Sequence, residues 1–251
     1  MDTGKRSWFR KRRSSPPQPS PKVFRPDDNP DDENRGAVDV CFVFDTTGSM
    51  SNKIAGLVTC MVDFVGELAE LQLNWRITTV PYGDLTVSRD RVVADLPFVR
   101  TYDEAVQQLR TMPRFSGGSN YGESTLEAVV AALGKPYRPF AVPVLVVLTD
   151  EPPLTEDLSE AEVGDQITIR EAICFVASPD RPGYRRWAED NGGRWYKIDQ
   201  KVDTGQILAY LRSLVRELPQ VAQEVHELGG GSVSRYLQEK RAPGQRDAAG
   251  D

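Results

Sequence analysis

The sequence predicts an α/β fold of the doubly wound kind, with a mostly parallel central sheet of about six strands flanked by helices. Two patterns carry this prediction. Short, nearly continuous apolar runs, such as residues 38–44 (VDVCFVF) and Val142–Leu148 (VPVLVVL), have the composition of strands buried on both faces. Between such runs lie segments whose apolar residues recur at helical spacing. A chain of 251 residues is also long enough for one domain with a sizeable core, plus tails.

Residues 1–36 stand apart. Basic, Ser/Pro and acidic blocks alternate there (RKRRSSPPQPSP, then PDDNPDDEN), with too few large apolar side chains to offset the entropy of ordering. A disordered arm is expected, basic and Pro-rich first and acidic later. Residues 1–25 carry +7, so the net charge of −6 leaves −13 for the rest of the chain.

The folded domain is expected over residues 37–218. After the first strand, which ends at Asp45, Ile54, Leu57, Val58, Met61, Phe64, Val65, Leu68 and Leu71 mark an amphipathic helix over residues 51–72. Residues 75–82 (WRITTVPY) and 91–99 are strand candidates. Thr101 with Glu104 forms a capping box before a helix through Met112. Ser116-Gly117-Gly118-Ser119 leads into a helix marked by Leu126, Val129, Val130 and Leu133, and the run Val142–Leu148 ends on Thr149-Asp150. Residues 172–177 and 195–198 supply two more strands around a helix near 184–191. Ile207, Leu208, Leu211, Leu214, Val215 and Leu218 build a last helix. Residues 219–251 are expected to add a short helix and a loosely attached, flexible tail.

Composition excludes several function classes. No run approaches the roughly 18 apolar residues needed to span a bilayer, and the basic, Pro-rich start lacks the apolar core of a signal peptide. Cys41, Cys60 and Cys174 lie far apart in apolar stretches, as buried thiols of a reducing compartment do, so a cytoplasmic protein is expected. With His226 as the only histidine and no closely spaced cysteine pair, zinc chemistry is set aside.

In a doubly wound sheet, ligands gather at the carboxyl ends of strands where the strand order reverses. Three loops place oxygen ligands at such ends. The first is Asp45-Thr46-Thr47-Gly48-Ser49-Met50-Ser51, in which Gly48 lets the chain turn so that Asp45, Thr47 and Ser49 can converge. The second, Gly117-Gly118-Ser119-Asn120, adds a hydroxyl, and the third is Thr149-Asp150. Carboxylates Asp45 and Asp150 with hydroxyls Thr47, Ser49 and Ser119 are hard-oxygen ligands suited to Mg²⁺ or Mn²⁺, and they leave a coordination position for an incoming group.

At these residues the sequence resembles the von Willebrand factor A (VWA) family. Its metal-ion-dependent adhesion site follows the pattern Asp-x-Ser-x-Ser, then a later Thr and a later Asp. The match covers about residues 37–218. Asp45, Thr47 and Ser49 fall on the first element, Ser119 on the threonine position and Asp150 on the last. The form DTTGSM, with Tyr82-Gly83-Asp84 and LTDEPP (148–153), is similar to the intracellular and bacterial branch. Thr47 for the first serine and Ser119 for the threonine are departures that keep an Oγ.

The resemblance implies a Rossmann-like VWA fold and a non-catalytic, Mg²⁺-dependent interaction module. In such a module Thr47, Ser49 and Ser119 touch the metal, Asp45 and Asp150 mostly hold waters, and a partner's Asp or Glu completes the shell. It also implies a multi-protein cytoplasmic system whose other members include an ATPase, kinase or phosphatase.

Neighbouring residues have plainer readings beside the functional one. Asp84 could stand next to the ion or cap its loop, and Glu151 could tune the charge or face water. Asn120 and Glu123 are helix-start residues that could line the rim. His226 reads as a surface residue, while Trp187 and Trp195 read as packing against the sheet. Enzyme motifs are absent: there is no GxxxxGK[ST] phosphate loop, no GxSxG nucleophile elbow and no placed partner for the single histidine. Metal-dependent phosphoester hydrolysis is the alternative, with Asp84 and Glu151 near an exposed ion. Nucleic-acid tethering through the basic arm is a third reading, opposed by the acidity of the rest of the chain.

Overall fold

The structure is a computed structural model that describes residues 37–70, 74–118, 121–155, 157–198 and 204–241. The arm of residues 1–36, the predicted site residues Ser119 and Asn120, and the chain end at 242–251 lie outside the described residues.

Strands β1 (Val38–Asp45), β2 (Trp75–Tyr82), β3 (Val142–Leu148), β4 (Ile173–Ser178) and β5 (Trp195–Lys197) form one sheet in the order β2-β1-β3-β4-β5. Every neighbouring pair is parallel. Parallel neighbours require crossovers, and helices supply them: α1 (Ser51–Glu70), α2 (Tyr102–Arg110), α3 (Thr125–Leu133), α4 (Glu160–Ile169) and α5 (Pro182–Glu189); α6 (Thr204–Glu227) and α7 (Val233–Arg241) follow the last strand.

Both faces of the sheet are covered. Val38, Val40, Phe42 and Phe44 of β1 join one core cluster with Leu57, Met61 and Phe64 of α1 and with Leu211 and Leu214 of α6. Cys41 and Val43 join a second with Leu126 and Val129 of α3, Val163 of α4 and Trp187 of α5. Two-sided burial is why the β1 sequence is apolar throughout rather than alternating. At the base of the sheet Asp39 interrupts that run. It is fully buried and receives Arg76 Nε at 2.9 Å, Arg138 Nε at 2.9 Å and the Arg138 backbone N–H at 2.8 Å.

Three features depart from the expectations. Residues 91–99 are not a strand, so five strands rather than six are described. The segment runs along the free edge of β2 with antiparallel bridges at Ile77↔Val99 and Tyr82↔Val92 only. Those bridges lie five residues apart on β2 but seven apart on the segment, so it bulges, and Pro97 within it has no N–H to donate. Second, α6 continues through Pro219, because the apolar stripe carries on at Ala222 and Val225. Residues 219–241 are therefore packed against the domain rather than loosely attached. Glycines 230 and 231, with φ of 58° and 88°, reverse it into α7, where Val233 and Tyr236 enter the core and Lys240 pairs with Glu224 at 2.6 Å. Third, α4 is an added element, opened by a capping box in which Ser159 and Glu162 satisfy each other's backbone N–H groups. Among the described residues no helix is long and apolar enough to cross a membrane, and Cys41, Cys60 and Cys174 are buried and form no disulfide.

Candidate cation site at the carboxyl ends of β1 and β3

The sheet order places β1 between β2 and β3, so the chain leaves β1 toward one neighbour and returns on its other side. The carboxyl ends of β1 and β3 thus flank the point where strand order reverses, and a crevice forms there because the two connections diverge. Asp45 closes β1 and Thr149-Asp150 follows β3.

Asp45 is fully buried. Its Oδ1 accepts the Thr47 backbone N–H at 2.9 Å and the Thr47 hydroxyl at 2.6 Å, while Oδ2 accepts the Thr149 hydroxyl at 3.0 Å. Ser49 Oγ donates to Asp150 Oδ1 at 2.9 Å and lies 3.2 Å from Thr47 Oγ1. Four of the five predicted ligands, Asp45, Thr47, Ser49 and Asp150, are therefore one connected chain of oxygens drawn from two strand ends. The proton inventory of this chain is short. With the Thr47 hydroxyl directed at Asp45 and the Ser49 hydroxyl at Asp150, no proton remains for the contact between the two Oγ atoms. Burial pushes the Asp45 carboxyl up to about 7; the Thr47 bonds oppose this and the Asp150 charge adds to it.

The loop geometry depends on residues outside the predicted ligand set. Gly48 N–H donates to Ser116 O at 3.3 Å, and Phe115 N–H to Thr46 O at 3.0 Å, which joins the first loop to residues 115–118. A Cβ on Gly48 would stand 2.9 Å from Ser116 O, so the close approach requires glycine. Asp90, itself buried, pins the same segment by accepting from Ser116 N–H at 3.2 Å, Ser116 Oγ at 3.1 Å and Gly117 N–H at 2.8 Å. Nothing local in the sequence marks Asp90 for this role, since its partners lie 26 and 27 residues away.

Asp84 caps its own loop: Oδ1 accepts the Thr86 N–H at 2.8 Å and the Thr86 hydroxyl at 2.7 Å. Its Oδ2 is buried and finds no hydrogen-bond partner among the described residues. Glu151 is half-buried, and its Oε2 accepts the Gly122 N–H at 3.0 Å. Burial raises the Glu151 carboxyl, Gly122 opposes the rise and Asp150 adds to it. Glu123 is more deeply placed than a helix-start residue on the rim would be. It is 3 % exposed, its carboxyl lies within hydrogen-bonding reach of Thr47, and Oε2 has no partner among the described residues. Burial, then Asp45 and Glu151, push its carboxyl up to about 9.

These observations fit a hard divalent cation. The donors are carboxylates and hydroxyls, and two buried carboxylate oxygens, Asp84 Oδ2 and Glu123 Oε2, have no hydrogen-bond partner among the described residues. Among the described residues no three His, Cys, Asp or Glu side chains close into an ion cage, so the donor set is one in which hydroxyls and water would supply most contacts. Zinc and softer metals do not suit it.

A search of curated protein sequences finds no match. Among solved structures the chain is similar to the pilus adhesin SpaC from Lactobacillus rhamnosus GG in an open conformation. That similarity has a TM-score of 0.54 at 13% sequence identity and covers 73% of this chain. The chain spans 30% of the adhesin, and the likeness is one of fold. The family model described as von Willebrand factor type A domain matches residues 39–175, which is more than half of the chain and contains Asp45, Thr47, Ser49 and Asp150. The chain belongs to the von Willebrand factor type A domain family.

Proposed function

We propose that this protein is a non-catalytic interaction module that holds one Mg²⁺ or Mn²⁺ at Asp45, Thr47, Ser49, Asp150 and Ser119 and uses it to capture an acidic side chain of a protein partner. The observation that carries this reading is the connected chain Asp45–Thr47–Ser49–Asp150 at the strand-order reversal. A bound ion of this kind supplies an electrophilic position to which a partner's carboxylate can add a short, charge-assisted bond.

The protein's own residues prepare that encounter. Thr149 and the Thr47 backbone hold Asp45 in place, and Asp90 and Gly48 fix the loop beside it. Leu85, 47 % exposed, and Tyr121, 78 % exposed, adjoin Asp84 and Gly122 and offer apolar surface beside the site. Buried thiols outside any disulfide suit a cytoplasmic setting, and a partner from a multi-protein system containing an ATPase, kinase or phosphatase is part of the proposal.

The test is affinity capture from the native cell with the full chain. Capture should be lost in EDTA and in Asp45→Ala, while far-UV circular dichroism stays unchanged. Capture that persists in both conditions refutes the reading.

A further inference from the structure

Glu123 adds a further connection among the three loops at the site, beside the bonds Gly48–Ser116, Thr46–Phe115 and Ser49–Asp150. Its backbone is stitched to the segment after β3: Glu123 N–H donates to Pro152 O at 3.0 Å, Leu154 N–H donates to Glu123 O at 2.9 Å, and the pair Glu123↔Pro153 is a parallel bridge. Its side chain turns the other way, toward Gly117 and the neighbouring Thr47 of the loop after β1. Between them sits Gly117 of the third loop. A Cβ there would lie 3.0 Å from Glu123 Oε1 and 3.2 Å from Thr47 Cβ, and φ is +71°. The position of Glu123 is thus determined by all three loops that bear the oxygen ligands.

A purely structural buried carboxyl would be expected to satisfy both oxygens, because a desolvated acceptor without a partner is unfavourable. Glu123 does not. One oxygen stays unpartnered among the described residues, in a neighbourhood that already contains Asp45, Glu151 and Asp84. A fourth carboxyl placed among three others, with an oxygen left open, lowers the stability of the ion-free protein and becomes favourable only when positive charge enters the cluster.

We propose that Glu123 is a positioning residue of the cation site: one oxygen braces the loops at Gly117 and Thr47, and the other is kept for the hydration shell of the bound ion. This assignment rests on the cation reading above. Residues that orient metal ligands without binding the metal typically alter affinity by about tenfold to a hundredfold when replaced, which sets the expected effect.

The experiment is calorimetric titration of the EDTA-stripped full chain and of Glu123→Gln with Mg²⁺ and with Mn²⁺, beside thermal unfolding of both proteins in EDTA. Glutamine keeps the shape and the reach to Thr47 but removes the ionisable oxygen. The expected result is a split: ion affinity falls at least about tenfold, while the Tm in EDTA is unchanged or raised. A structural role predicts the reverse, a lowered Tm in EDTA with affinity within twofold of the unmodified protein, and that result overturns the assignment alone. An unmodified chain that binds neither ion overturns the cation reading and this assignment with it.

Discussion

Replacing Asp45 with asparagine should stabilise the ion-free protein above neutral pH and remove its stabilisation by Mg²⁺. Burial raises the Asp45 carboxyl from its ordinary 3.8 to about 7, so near pH 5 the folded chain keeps a proton that the unfolded chain has already released. For a raised carboxyl the stabilising contribution is fully present below pH 3.8 and is lost as the pH climbs to about 7. Two pH units within that window, from 5 to 7, at about 1.36 kcal/mol per unit, amount to about 3 kcal/mol. Asparagine can still accept the Thr47 bonds and meet the Thr149 hydroxyl, but it does not titrate. The assay is urea unfolding by circular dichroism at pH 5 and pH 8, in EDTA and in saturating Mg²⁺. In EDTA the unmodified protein should lose about 3 kcal/mol more than Asp45→Asn between the two pH values. Mg²⁺ should restore that loss in the unmodified protein only. Equal pH dependence in both proteins, or equal stabilisation of both by Mg²⁺, would refute the reasoning.

Other consequences follow from the same geometry. Asp39→Ala leaves the guanidinium groups of Arg76 and Arg138 without their shared carboxylate at the base of the sheet. Breaking a buried pair typically costs about 3–5 kcal/mol. Arg138 keeps Asn74 Oδ1 and Val38 O, which points to the lower end of that range, and a loss under about 1 kcal/mol in urea unfolding would contradict the burial argument. Gly48→Ala forces a Cβ to within 2.9 Å of Ser116 O, so Mn²⁺ affinity should fall about tenfold with little change in secondary structure; unchanged affinity would show that the loop has room. Tyr121→Ala should weaken partner capture while leaving Mn²⁺ affinity within twofold, because this side chain is 78 % exposed and directly precedes Gly122, whose N–H donates to Glu151. Loss of ion binding in Tyr121→Ala would contradict that placement.

The parts of this structure that are legible in sequence are those written contiguously. β1 and β3 are visible because burial on both faces makes them apolar without interruption, and Asp45, Thr47 and Ser49 because one short loop contains all three. Asp150 is visible because it follows a strand end of the same kind. Asp90 is not, and Glu123 is visible only as a helix-start residue that could line the rim, since their partners lie in loops brought near only by the sheet: Asp90 reaches Ser116 and Gly117, and Glu123 packs at Gly117 and bonds to Pro152. α4 has a readable signal in Ser159-x-x-Glu162, but Val163 and Ile167 are its only buried residues, so its apolar periodicity is faint. The segment 91–99 shows the opposite error. Its residues are suited to a strand, but Pro97 and the register shift against β2 prevent continuous pairing. Pro219 invites a helix end that the apolar stripe at Ala222 and Val225 overrides.

The most direct measurement of the cation reading is calorimetric titration of the EDTA-stripped full chain with Mn²⁺, repeated on Ser49→Ala and Asp150→Ala. The expected result is saturable binding of a single ion per chain by the unmodified protein and loss of that binding in both variants, with their circular dichroism preserved. Absence of binding by the unmodified protein, or undiminished binding by Ser49→Ala and Asp150→Ala, would contradict it.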